Sequence, residues 1–282
     1  MTRATLSDVL QPALKNGYAV AGLVVQGWED ARAYVAAAEA EDAPVILQAG
    51  PGCRAHTPLP VLGAMFRSLA ETAKVPVVSH LDHAYSADEC CAAIKAGFTS
   101  VMFDGSRLPL AENIARTREI VVMAQKVGVS VEGEIGFVGY DAGAASQGTH
   151  PAEAQQFADQ TGVDAMAISI GNVHLQRSAG AAINMELLRS IQAMTGVPLV
   201  LHGGSGIPTK TRQMLATATN VCKFNIGTEL RQAFGQALRD HLTTNPDSFD
   251  RIEILRSVEA PLKAAARRVI RNIGPNHNTS RN

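Results

Sequence analysis

Short apolar runs and helix-forming stretches alternate eight times along this chain of 282 residues. The runs are residues 19–26, 43–48, 75–79, 100–103, 129–135, 165–170, 197–201 and 221–226. Each is rich in Val, Ile, Leu or Ala and short for a helix, which is the pattern of buried strands. Helical stretches follow at 29–41, 60–73, 86–96, 109–127, 151–160, 185–194, 209–218 and 228–243. Ser86 suits an N-cap and Pro151 a first helical turn. A further helix over 5–16 opens the chain and another over 251–273 closes it.

Strict strand–helix alternation predicts an α/β fold, a closed (β/α)8 TIM barrel with an N-terminal helix and a C-terminal helical extension. The opening helix would close the bottom of the barrel. The length is near the ~250 residues typical of such barrels. An open, doubly wound sheet is the alternative. No linker or solenoid-length repeat interrupts the chain, so one domain over 1–282 is expected, with 274–282 a frayed tail.

Composition removes several partners. Lys plus Arg total 25 against 26 Asp plus Glu, for a net charge of −1. That balance argues against nucleic acid or an acidic membrane surface as a partner. No apolar run reaches the ~18 residues of a membrane span, and the N-terminus lacks a signal peptide's charged-then-apolar layout. Cys53, Cys90, Cys91 and Cys222 have no CxxC spacing, so neither a disulfide framework nor a zinc knuckle is indicated. The expectation is a soluble cytoplasmic protein.

Three of the apolar runs lead into a histidine. Residues 75–79 lead into His80-Leu-Asp-His83, residues 165–170 into Gly171-Asn-Val-His174, and residues 197–201 into His202-Gly-Gly-Ser-Gly206. A lone His at a strand end is more often a hydrogen-bonded structural residue than a ligand. Three at matching ends, with Asp82 beside one of them, favour a shared divalent metal. In a barrel, polar residues at strand C-terminal ends converge on one mouth. Those residues are Asp82, His83, Asp104, Glu132, Glu134, His174, His202 and Asn225. Three imidazoles would leave a coordination position open, as catalytic zinc sites do. His80 reads as structural.

Taken together, His80-Leu-Asp-His83, Val101-Met-Phe-Asp-Gly-Ser106, Val131-Glu-Gly-Glu-Ile-Gly136, His174, Leu201-His-Gly-Gly-Ser-Gly206 and Asn225-Ile-Gly-Thr-Glu-Leu230 resemble the zinc-dependent class II aldolases. The likeness covers nearly the whole chain and leans toward the tagatose-bisphosphate type of the fructose-bisphosphate/tagatose-bisphosphate group. It implies that His83, His174 and His202 hold Zn²⁺ and that Asp82 is the base on the C4 hydroxyl. It implies that Asp104, Glu132 and Glu134 orient ligands or offer alternate coordination. Gly203, Gly204, Ser205, Asn225, Gly227 and Thr228 would bind the phosphate of a dihydroxyacetone-phosphate half, at the usual barrel phosphate site. The substrate would be a ketose 1-phosphate or 1,6-bisphosphate, a monovalent cation could assist, and a homodimer or homotetramer is the family's assembly.

Some positions depart from the family pattern. Leu175 stands where the family commonly has Gly, Gly50 where it has Ser or Thr, and Gly22-Leu-Val24 where it has Ala-Phe-Asn. Asp141 is the only acid in the loop Gly139 to Gly148, where the family carries its proton-exchange acid. These departures point to an altered aldehyde half or weakened activity on the usual bisphosphates. Two other readings stand beside the aldolase. One is a non-catalytic sugar-phosphate-binding barrel. The other is a metal-dependent hydrolase, demoted because Gln26-Gly-Trp28 lacks the His-x-His pair it requires.

Overall fold

The computed structural model describes residues 2–276. Its parallel strands are β1 (Arg3–Ala4), β2 (Val20–Val24), β3 (Val45–Ala49), β4 (Val77–Ala84), β5 (Ser100–Phe103), β6 (Ser130–Ile135), β7 (Ala165–Ile168), β8 (Leu199–Leu201) and β9 (Val221–Ile226). From β2 to β9 each strand pairs with its successor, and β9 returns to pair with β2. The closed (β/α)8 barrel is therefore present and the open-sheet alternative is not.

The helices are α1 (Leu6–Asn16), α2 (Trp28–Ala40), α3 (Pro51–His56), α4 (Leu59–Thr72), α5 (Ala87–Lys95), α6 (Leu110–Gln125), α7 (Pro151–Thr161), α8 (Met185–Met194), α9 (Thr209–Ala218), α10 (Thr228–Thr244), α11 (Arg251–Ser257) and α12 (Glu259–Ile273). None of the described helices is long and apolar enough to cross a membrane. The expected helix over 251–273 is two helices meeting at Val258. Pro261 explains the break, because it lacks an N–H and fits only the first turn of a new helix. Two elements escaped the sequence pattern, β1 and α3, both too short to show a period.

Strand alternation divides the core in two. One set of strand side chains, including Leu23, Leu47, Val77, Val101 and Phe224, packs against the outer helices. The other set, Val20, Ile46, Val78, Ala165, Ala167, Val200 and Cys222, fills the barrel's lower interior against Leu6, Val9, Leu10 and Ala13 of α1. Helix α1 thus plugs the bottom, as expected. Thr5 starts it with a capping box, its hydroxyl accepting from Asp8 N–H while the Asp8 carboxylate accepts from Thr5 N–H.

Helix α12 is docked partly through one buried acid. Glu41, just past α2, accepts from Arg267 Nε at 2.7 Å and from Arg271 Nε and a terminal nitrogen at 2.9 and 2.8 Å. Its carbonyl accepts from Asn276 Nδ2 at 2.7 Å; the rest of the expected tail, 277–282, lies outside the described residues. Burial pushes the Glu41 carboxyl up, but the two guanidinium groups outweigh it and hold it below its usual range. A depressed carboxyl gives stability that is complete above the unfolded-state value and is lost as pH falls through the folded one. Glu41→Gln is therefore expected to cost about 1–2 kcal/mol at pH 7. Thermal melts of the two proteins should converge only as pH drops below about 4.

Candidate active site and metal centre

Strand β4 does not stop at residue 79. It runs through His80, Leu81, Asp82 and His83 to Ala84. The polar residues hide the strand from an apolar pattern. Regular alternation would send Asp82 and His83 to opposite faces. Instead the pairing with β5 slips by a residue between Leu81 and Ala84, and His83 takes a left-handed backbone with φ 54°. This bulge brings both consecutive side chains to the mouth of the barrel. Arg54 on α3 braces it, donating to the carbonyls of Asp82 (2.6 Å), His83 (3.0 Å) and Ala49 (2.8 Å) while pairing with Glu89.

His83, His174 and His202 meet there. Each offers a ring nitrogen, and these nitrogens all lie within 4.8 Å of one another. The orientation of two rings is fixed by hydrogen bonds. Asp104 Oδ2 is 2.8 Å from His83 Nδ1, and Glu132 Oε1 is 3.0 Å from His202 Nε2. Asn172 ties the segment carrying His174 to β8 by donating to the His202 carbonyl at 3.1 Å. His83, Asp104 and Glu134 form a second convergent group on the same side. His80, as expected, points elsewhere, with Nδ1 2.8 Å from Ser100 Oγ.

The donors fit a cation. His202 Nδ1 and Glu134 Oε2 are buried, 3.5 Å apart, and without a hydrogen-bond partner among the described residues. Such lone pairs are costly unless something occupies them. Burial pulls His174 down to about 4 and, with the facing His83 and His174, pulls His202 well below its usual value. His83 moves the other way, to about 9, because Asp82, Asp104 and Glu134 outweigh its burial. Burial and the Asp104 charge push Glu134 up to about 8.

Asp82 stays a carboxylate. Burial raises it, but His83, His202, Lys223 and His174 together hold it below the usual range. Its Oδ1 accepts from Asn225 Nδ2 at 3.1 Å, so two residues from β4 and β9 share one corner of the cavity.

The cavity above is lined by Asp82, His83, His174, Gly203, Ser205, Asn225, Gly227 and Thr228. These bring together the expected base, two of the three expected ligands and five of the six expected phosphate residues, with His202 buried behind them. Gly203 has φ 65° and opens a single 3-10 turn over Gly204–Gly206. Gly204 packs behind this surface, where a Cβ would meet the Ile226 side chain at 2.8 Å. Ser205 Oγ accepts from Glu229 N–H, in the first turn of α10, at 3.3 Å.

Asp141 is not in this group. Its side chain is exposed, and its backbone N–H donates to the His174 carbonyl at 3.0 Å. The neighbouring Tyr140 lines the cavity instead, stacked on His174 with centroids 5.0 Å apart. Sequence reading also passed over Tyr85, Gln176 and Arg231, which complete the wall. Gln176 lies in a loop and Arg231 on α10, and Tyr85 follows β4 at Ala84, beyond the residue 79 at which the apolar run stops, so no positional signal marked them. Leu175 keeps a glycine-like φ of 59° although it is not glycine, a strain of the kind found at functional sites.

The closed barrel thus sets a carboxylate beside three converging imidazoles that could hold a metal ion. A family model described as fructose-bisphosphate aldolase class-II matches residues 4–278. The chain belongs to this family and is an aldolase. Among solved structures it is similar to the YdjI aldolase from Escherichia coli K12, at 31% identity and a TM-score of 0.83, over 97% of this chain and 98% of that one. A putative fructose-1,6-biphosphate aldolase from Coccidioides immitis, at 24% identity and TM-score 0.83 over 97% of each chain, shares the fold. So does fructose-bisphosphate aldolase from Campylobacter jejuni, at 23% identity and TM-score 0.79, over 95% of this chain and 93% of that one.

Proposed function

We propose that this aldolase is zinc-dependent and reversibly cleaves a ketose 1-phosphate or ketose 1,6-bisphosphate to dihydroxyacetone phosphate and an aldehyde. The observation that carries the reading is the meeting of His83, His174 and His202, from three separate segments, beside the Asp82 carboxylate. All-nitrogen ligation with an open position suits Zn²⁺. A metal held there would supply Lewis acidity to the ketose carbonyl and spread the charge that carbon–carbon cleavage leaves.

The protein's own groups do the rest. Asp82 takes the proton from the C4 hydroxyl in cleavage and returns it in condensation; its depressed pKa keeps it able to accept. Asn225 holds one of its oxygens and leaves the other toward Gly50, whose Cβ position is 3.5 Å from Oδ2. Asp104 and Glu132 fix ring orientation at His83 and His202. Glu134 offers an alternate ligand oxygen. Backbone N–H groups around Gly203, Gly227 and Thr228, at the start of α10, would grip phosphate, with the Ser205 and Thr228 hydroxyls adding to them.

Val24, Gly50 and Leu175 all line the cavity, so the departures from the family pattern fall on the substrate's walls. They support an aldehyde half different from the usual one. By family likeness the assembly is a homodimer or homotetramer. The test condenses an aldehyde panel with dihydroxyacetone phosphate, with and without chelator, and follows solvent-deuterium exchange into dihydroxyacetone phosphate. Chelator-sensitive condensation and exchange are expected. Metal-loaded protein that performs neither overturns the reading in favour of a sugar-phosphate binder.

A further inference from the structure

Beneath the three imidazoles lies a second polar layer inside the barrel. Gln48, His80, Ser100, Glu132 and Lys223 form it, each with no solvent exposure. Two backbone features admit a lysine here. The β8–β9 pairing slips near Cys222, so that Val200 faces Lys223. Opposite, Gly22 leaves room: a Cβ there would stand 1.8 Å from Gln48 Oε1 and 3.1 Å from Lys223 Cε.

Lys223 Nζ donates to Glu132 Oε2 at 2.6 Å and lies 3.5 Å from His80 Nε2. The other oxygen, Glu132 Oε1, is the one 3.0 Å from His202 Nε2. Each carboxylate oxygen therefore has one close hydrogen-bond partner, with His80 Nε2 farther off, 3.6 Å from Oε2. A neutral imidazole has a single N–H. The carboxylate takes it on Nε2, which leaves Nδ1 bare, and Nδ1 is the buried atom without a partner. Lys223 does not line the cavity, so it acts on substrate only through others.

We infer that Lys223 is a positioning residue: it pins Glu132 so that the carboxylate selects Nδ1 of His202 as the nitrogen facing the metal. Without the ammonium group, Glu132 loses one of its two anchors and no longer holds the imidazole in one tautomer and one plane. The inference rests on the metal-site reading above, and the measurements separate the two. A parent protein that binds no zinc overturns that reading before any variant is made.

The experiment measures the zinc dissociation constant of metal-free protein by competition with a chromophoric chelator. Imidazole ¹⁵N spectra, with His202 assigned by substitution, report its tautomer. Lys223→Met is expected to weaken zinc binding by about 10- to 100-fold and to convert His202 from one tautomer to a mixture. The double variant Lys223→Met/Glu132→Gln removes both charges, so its thermal stability should recover. Its zinc affinity should stay at least about 10-fold below the parent, because a neutral amide is the weaker acceptor. Affinity that recovers with stability in the double variant overturns the inference and leaves Lys223 a charge balancer only. Affinity within twofold of the parent in Lys223→Met, with the tautomer unchanged, overturns it as well. If Lys223→Met does not fold, the double variant decides alone.

Discussion

Asp82→Ala is expected to keep its metal and lose its turnover. The kcat for cleavage should fall by about 10²–10⁴-fold, the range for removing a positioned base. Metal content by elemental analysis should match the parent, because the three imidazoles are untouched. Among the described residues, the only side-chain hydrogen bond lost is the one from Asn225 Nδ2 at 3.1 Å, on a residue that lines the open cavity where water replaces it. Exchange of solvent deuterium into dihydroxyacetone phosphate separates two steps. It should survive better than cleavage, since Asp82 is assigned to the C4 hydroxyl and not to the carbon-bound proton. A variant that cleaves substrate at the parental rate would remove Asp82 from the role.

His202→Ala should lose both metal and activity. The change takes away one of three nitrogens and also strands Glu132, whose Oε1 now faces an empty pocket. A buried acceptor left unsatisfied costs about 1–3 kcal/mol, so the melting temperature should drop as well. Added zinc should not restore turnover at concentrations that saturate the parent. Retention of stoichiometric zinc after dialysis would show that the ion does not depend on this ring.

The comparison of the two variants depends on geometry that the sequence declared unevenly. Strand β5, helices α8 and α9, and strand β9 fall at their expected bounds, because each apolar run or amphipathic stretch is bracketed by residues that cannot continue it. Strand β4 does not, since His80, Asp82 and His83 are polar yet point into a barrel lined with partners. The convergence of His83, His174 and His202 was legible because histidines at several strand ends meet in any closed barrel. The role open to Lys223 was not. A lysine in Val221–Ile226 has no visible reason to face inward until Gly22 and Glu132, 91 residues away from it, are seen beside it. Asp141 was singled out as the loop's only acid, but acidity alone does not place a side chain; Tyr140, with no such label, lies against His174. At Leu175 the backbone takes a left-handed φ of 59° that ordinarily suits glycine, which no residue-by-residue reading discloses.

With α1 stoppering the lower end and the buried Lys223 layer filling the waist, the described barrel is a blind-ended cup. Whatever this aldolase cleaves enters, and both fragments leave, by one doorway. The fragment seated nearer the rim must depart first, and the inner one waits behind it. Either fragment, drifting back in, obstructs the next arrival, so traffic through this doorway orders product release.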